Sequence, residues 1–205
     1  MTLWYPQPAT QWVEALPVGN GRLGAMVWGG IAHERVQLNE DTLYAGGPYD
    51  ATSPEARAAL PQVRELIFAG RYAEAEALAD ARLLSRPAKQ MPFQPLADLL
   101  LDYDRADGVS DYRRELDLDS AVATTRFASG GAEHRREVFV SAPAQCIVVR
   151  LSCDRPGGVS LRIGLDSPQV GEISAGPDGL LFAGRNAAFA GVEGRLDFAL
   201  RVLPR

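Results

Sequence analysis

Lysine is almost missing from this chain. Lys89 stands alone among 21 basic residues, and the arginines are scattered among 26 acids. With a formal net charge of −5 and no basic run, the sequence offers no counter-charge to a phosphate backbone, so no nucleic-acid partner is expected. Histidine is as scarce: neither His33 nor His134 has a second ligand residue at a spacing such as H-x-x-x-H, so no metal site is expected and both read as surface or strand-end residues. Cysteine is limited to Cys146 and Cys153, seven apart in QCIVVRLSC. On one strand they would face opposite ways, which disfavours a mutual disulfide, and the expectation is two buried free thiols. Long apolar runs are also missing; the longest are strand-sized, and Met1 is followed by Trp4, Tyr5 and Pro6 instead of a basic segment and an apolar stretch. Neither a membrane span nor a signal peptide is visible, and the compartment stays open. No G-x-S-x-G elbow occurs, and neither cysteine has glycine or histidine beside it, so no covalent catalysis is expected.

What is present is turn-punctuated β sequence. The segments TQWVEALP, LGAMVWGGI and ERVQL in the first fifty residues read as two or three strands joined by glycine turns. Ser53-Pro54-Glu55 reads as an N-cap with proline at the first helical position. Leu60, Val63 and Ile67 then recur at helical spacing until Gly70, and the alanine-rich RYAEAEALADARLL that follows predicts a second helix ending before Pro87. From Pro95 onward, LADLLLDY, RRELDLDSAVATTRF, AEHRREVFVSA, QCIVVRLSC, GVSLRIGLD, GLLFAGR and RLDFALRVL are separated by Gly, Pro, Asp or Asn, the pattern of an antiparallel sandwich. In REVFV and SLRIGL every second residue is apolar, as when one sheet face is buried. The reading is a mainly β, antiparallel, supersandwich-like domain over residues 1–205, with two short helices inserted near residues 54–84. Because RLDFALRVLPR reads as a core strand with no closing element, a chain truncated at its C-terminal end is expected.

Gly19-Asn20-Gly21-Arg22-Leu23-Gly24 matches G-x-G-x-x-G. A dinucleotide site needs a strand before these glycines and a helix after them. Pro17 precedes them and the β-like AMVWGGIAHERVQL follows, so the segment reads as a turn between strands and no cofactor is expected. Glu40 and Asp41 are the acidic pair in the most polar turn. Adjacent residues of an extended chain face opposite ways, so they cannot flank one glycosidic bond as an acid/base pair. Asn39, Glu40 and Thr42 do offer the donors and acceptors that sugar hydroxyls need, and they equally suit capping of backbone groups in a turn. Trp4, Trp12, Trp28, Tyr5, Tyr44 and Tyr49 gather in the first quarter; core packing is expected of the tryptophans, and Tyr44 and Tyr49, flanking Gly46-Gly47-Pro48, are the surface candidates.

The stretch EALPVGNGRLGAMVWGG (14–30), Leu38-Asn39-Glu40-Asp41-Thr42-Leu43 and Gly46-Gly47-Pro48 resemble the opening of the N-terminal β-sandwich domain of glycoside hydrolase family 95, the α-L-fucosidase type. The segments 93–99 (FQPLADL), 112–119 (YRRELDLD) and 136–141 (REVFVS) are similar to later strands of that domain, so the resemblance spans nearly the whole chain. Tyr44 stands where the family usually has Trp, and Ala45 where serine is common. The resemblance implies inverting hydrolysis of α-L-fucosides or related L-galactosides. It places the catalytic groups in an (α/α)6 barrel after the sandwich, which is absent from these 205 residues. No catalytic residue is therefore carried over, and the isolated chain is expected to be inactive. The implied role is an accessory domain that packs on the barrel and offers Asn39, Glu40, Thr42 and Tyr44 at the rim of its pocket, with a fucosylated or related glycan as substrate; members are often secreted or periplasmic. The alternative is a free-standing carbohydrate-binding module using exposed aromatic residues.

Overall fold

A computed structural model describes residues 1–103 and 108–205. The chain divides into two compact units, one of Met1–Leu43, Phe93–Asn186 and Asp197–Arg205, the other of Tyr44–Pro92 and Ala187–Leu196.

In the first unit the strands are β1 (Thr2–Tyr5), β2 (Leu16–Gly19), β3 (Leu23–Val27), β4 (His33–Glu40), β5 (Ala97–Tyr103), β6 (Ser110–Asp117) and β7 (Val122–Ser129). They continue as β8 (Ala132–Ser141), β9 (Cys146–Cys153), β10 (Leu161–Asp166), β11 (Val170–Gly176), β12 (Gly179–Arg185) and β13 (Asp197–Val202). One sheet has the order β1-β6-β7-β8-β9, a second β10-β5-β4-β3-β2, and a third β11-β12-β13. All their pairings are antiparallel. The alternation in the sequence decides which face is inside: Val36 and Leu38 of β4, and Leu99 and Leu101 of β5, are buried against Leu116, Ala123 and Val138 of the opposite sheet. Each such valine or leucine side chain withdrawn from water contributes roughly 1.5–3 kcal/mol. The result is the antiparallel β-sandwich that the turn spacing predicts.

In the second unit, α1 (Ala56–Phe68) and α2 (Tyr72–Arg82) fall inside the expected 54–84 window. The start signal works differently from the expectation. Glu55 is the N-cap residue without a side-chain cap bond, while the buried Ser53 hydroxyl donates to the Arg82 carbonyl at 2.6 Å, tying the start of α1 to the end of α2. The buried face of α1 is carried by Ala59 and Val63, with Leu60 and Ile67 exposed.

Two further expectations are corrected. Cys146 is exposed and Cys153 half-buried, both as free thiols; each sits at an end of β9, where the strand leaves the sheet. Trp4 and Trp12 are 54% and 53% exposed. Trp4 lies on the outward parity of β1, and Trp12, in a 3-10 turn, uses its indole N–H on the Gln37 amide oxygen at 2.8 Å. Trp28 is half-buried beneath the Arg35 guanidinium.

The sandwich also encloses charge. Arg136 of β8 and Glu34 of β4, on facing sheets, are both buried and form an ion pair. Arg136 donates to the Gly30 carbonyl at 2.9 Å, and the Glu34 carboxylate accepts from the Gly29 N–H at 2.9 Å. Tyr112 donates to the Gly29 carbonyl at 2.6 Å. Buried Arg114 donates to the carbonyls of Gln7 and Glu14. Burial pushes the Arg136 guanidinium down to about 9, which leaves it cationic at neutral pH. These groups convert the β3–β4 connection from a loose loop into a bonded part of the core.

Candidate functional site

The other end of the β3 and β4 strands carries the polar segment. The β2–β3 hairpin closes through Asn20 and Gly21, with Gly19 opposite Gly24. The Asn20 side-chain oxygen accepts the N–H groups of Arg22 (3.0 Å) and Leu23 (2.8 Å), and Gly21 takes φ +92°, a value that glycine adopts without strain. The glycine-rich segment is thus a turn between strands, as its β-like flanks predict. Asn20 also donates to the Ser141 carbonyl at 3.2 Å, tying this hairpin to the end of β8 in the facing sheet.

This hairpin sets Arg22 beside Glu40, since Leu23 pairs with Glu40 and Asp41 N–H bonds the Arg22 carbonyl at 3.0 Å. Arg22 Nε donates to Glu40 Oε1 at 3.1 Å, and its Nη1 donates to the Gln145 side-chain oxygen at 3.2 Å. Glu40 Oε2 accepts from the Thr42 N–H at 2.8 Å and from the Thr42 hydroxyl at 2.6 Å. Burial works to raise the Glu40 pKa, but the Thr42 and Arg22 donors outweigh it and hold the carboxyl below its ordinary value. Both oxygens are engaged. Glu40 is therefore an ionised organiser of its turn, unsuited to deliver a proton at neutral pH.

The expected site residues are distributed accordingly. Glu40 and Thr42 are brought together. Asn39 lies on the opposite parity of β4, across from Gly24, with its amide oxygen buried and without a hydrogen-bond partner among the described residues. Asp41 is exposed. Tyr44 is 47% exposed and belongs to the second unit; Tyr49 is also exposed. Arg22 and Gln145 escaped the sequence reading. Arg22 sits inside the glycine-rich stretch, where the spacing directs attention to the glycines, and Gln145 is 123 positions away from it with no local signal. Among the described residues no group of three or more His, Cys, Asp or Glu is placed to hold a metal ion.

Residues 3–202 match the family described as the N-terminal domain of glycosyl hydrolase family 65. The chain belongs to this family. Its relatives carry fucosidase names: this glycosyl hydrolase N-terminal domain is 39% identical over 170 residues to alpha-L-fucosidase 2 of Arabidopsis thaliana, covering 82% of this chain and 20% of that protein. It is 39% identical over 145 residues to the probable alpha-fucosidase A of Aspergillus niger, covering 67% of this chain and 18% of that protein. The corresponding protein of Aspergillus oryzae is 33% identical over 146 residues, 68% of this chain and 20% of its own length. The glycosyl hydrolase N-terminal domain thus spans about a fifth of the curated relatives it matches, and the expected kinship with a fucosidase-type N-terminal domain is met.

Proposed function

We propose that this chain is the N-terminal accessory domain of an inverting α-L-fucosidase-like hydrolase. In this reading it packs on an (α/α)6 catalytic barrel of the same protein, and Asn39, Glu40, Thr42 and Tyr44 stand at the rim of the substrate pocket. The observation that carries the reading is the coverage: relatives named as fucosidases match most of this chain with only about a fifth of their own length. The geometry agrees. Inverting hydrolysis needs two carboxyl groups roughly 6.5–9.5 Å apart around one sugar, whereas Glu40 is saturated by Thr42 and Arg22 and its acidic neighbour Asp41 is adjacent in sequence. The chemistry is therefore assigned to the barrel, and this turn to shaping and charging the approach of a fucosylated or related glycan.

Glu40→Gln in the full-length protein tests the rim assignment. An amide cannot accept from Arg22 on one side and Thr42 on the other, so a loss of about 1–3 kcal/mol in stability is expected. A capping role alone would stop there. The rim role further predicts that kcat/KM of the folded variant on an aryl α-L-fucoside falls about tenfold. Unchanged kinetics in the folded fraction would remove Glu40 and its turn from the pocket.

A further inference from the structure

The outer face of the β1-β6-β7-β8-β9 sheet carries an arrangement that solvation alone does not call for. Arg113, Arg126 and Arg135 stand directly opposite one another across β6, β7 and β8. Like charges at directly paired positions are destabilising, so a face that only had to be wet would alternate signs along this row. The compensation lies in the next row: Glu115 pairs with Arg113 at 2.7 Å and with Arg126 at 3.3 Å, and Glu137 pairs with Arg135 at 2.7 Å. On the other side of the arginine row runs a groove of about 620 Å³ with Asp111, Glu133 and Asp154 on its lining. That size is in the range of small-ligand sites.

Two features show that the groove is shaped. The β6–β7 register shifts between Ser110 and Arg113, a bulge of the kind that re-aims side chains. Asp111 within it takes φ 52°, a left-handed conformation uncommon for a residue other than glycine. Across the arginine row from the groove, on β1 beside Glu115, Trp4 has the Arg113 guanidinium 4.8 Å from its ring centre and is still 54% exposed, which leaves ring surface for a second partner.

We propose that this groove is a second saccharide-binding site, distinct from the Glu40 turn and specific for a neutral oligosaccharide. The charges choose the occupant. Three arginines and three carboxylates line the groove, so an anion would meet the acids and a cation the arginines. An uncharged polyol finds guanidinium donors and carboxylate acceptors for its hydroxyls in the groove, and a chain of several sugars that crosses the arginine row reaches Trp4, beside Glu115, whose ring offers an apolar face. Its role is to hold a glycan chain on the protein while another part of that chain is processed. It rests on the reading of the chain as part of a glycan-degrading protein.

The test uses the intact protein, isothermal titration with a neutral fucosylated pentasaccharide, and the variants Trp4→Ala and Arg126→Ala. Both replace exposed side chains, and unchanged melting temperatures verify the fold. The expected result is pentasaccharide binding weakened about tenfold or more by each variant, with kcat/KM on an aryl α-L-fucoside unchanged. No binding, or binding that neither variant weakens, overturns the groove. Tighter binding of heparin than of the pentasaccharide overturns the choice of a neutral ligand. A protein that binds through these residues yet hydrolyses no fucoside keeps the groove and refutes the fucosidase reading, so the two failures are distinguishable.

Discussion

Arg136 occupies an inward parity position of β8, in line with Val138, and its charge is answered across the sandwich by Glu34. A buried pair of this kind is weak evidence for net stability, because desolvating two ions costs about what their attraction returns. Its removal by halves is a different matter. Arg136→Met leaves the Glu34 carboxylate in the core without its counter-ion, and a loss of about 3–5 kcal/mol in chemical denaturation is expected. Adding Glu34→Leu should recover part of that loss, short of the whole, because Gly29 would still lack its acceptor. A single variant as stable as the parent would show that water already solvates the site. The same residue illustrates what the sequence makes legible. REVFV places arginine at a position of apolar parity, which marks Arg136 as unusual, but nothing local names Glu34, 102 positions earlier, as its partner.

At the scale of elements, legibility follows how local the cause is. The β2–β3 hairpin was readable because Asn20 and Gly21 carry their own turn chemistry, and the two helices because alanine-rich sequence and Gly70 act within a few residues. Strand β1 is not legible in the sequence: four residues before Pro6 make too short a pattern, and its pairing to β6 joins positions more than a hundred apart. Strand β11 is not legible either, because its residues are exposed and no alternation marks it. Trp4 is large but exposed because size predicts burial only where the strand parity also points inward, and Trp4 points outward. The glycines divide in the same way. A Cβ at Gly21 meets no neighbour and strains only the local backbone, whereas one at Gly30 would run into the His33 carbonyl and lie 3.2 Å from the Glu34 Cα. Gly21→Ala should therefore cost about 1–2 kcal/mol, and Gly30→Ala about 2–4 kcal/mol because it also displaces the strand that carries Glu34. Equal losses in thermal melts would mean that the β3–β4 connection adjusts freely and is not held by its bonds to Glu34, Tyr112 and Arg136.

At the scale of the whole molecule, the question is where the chemistry resides. Four carboxylates of the sandwich are committed to neighbours: Glu40 to Thr42 and Arg22, Glu115 and Glu137 to arginines, and Asp98 to Arg35 at 2.7 Å. A general acid must keep its proton near neutral pH, which calls for a carboxyl raised by burial or by a like charge. Among the described carboxyl groups whose pKa clearly departs from the ordinary value, Glu14, Glu40, Asp50, Glu74, Asp117 and Asp197, each is lowered. None of these six is poised to hold a proton at neutral pH. Under the proposed role, the 205-residue chain by itself should leave an aryl α-L-fucoside unhydrolysed over days at neutral pH, while the full-length protein should turn the same substrate over. Product release by the rigorously purified chain, abolished by replacing one of its own carboxylates, would move the catalytic centre into the sandwich and overturn the accessory role.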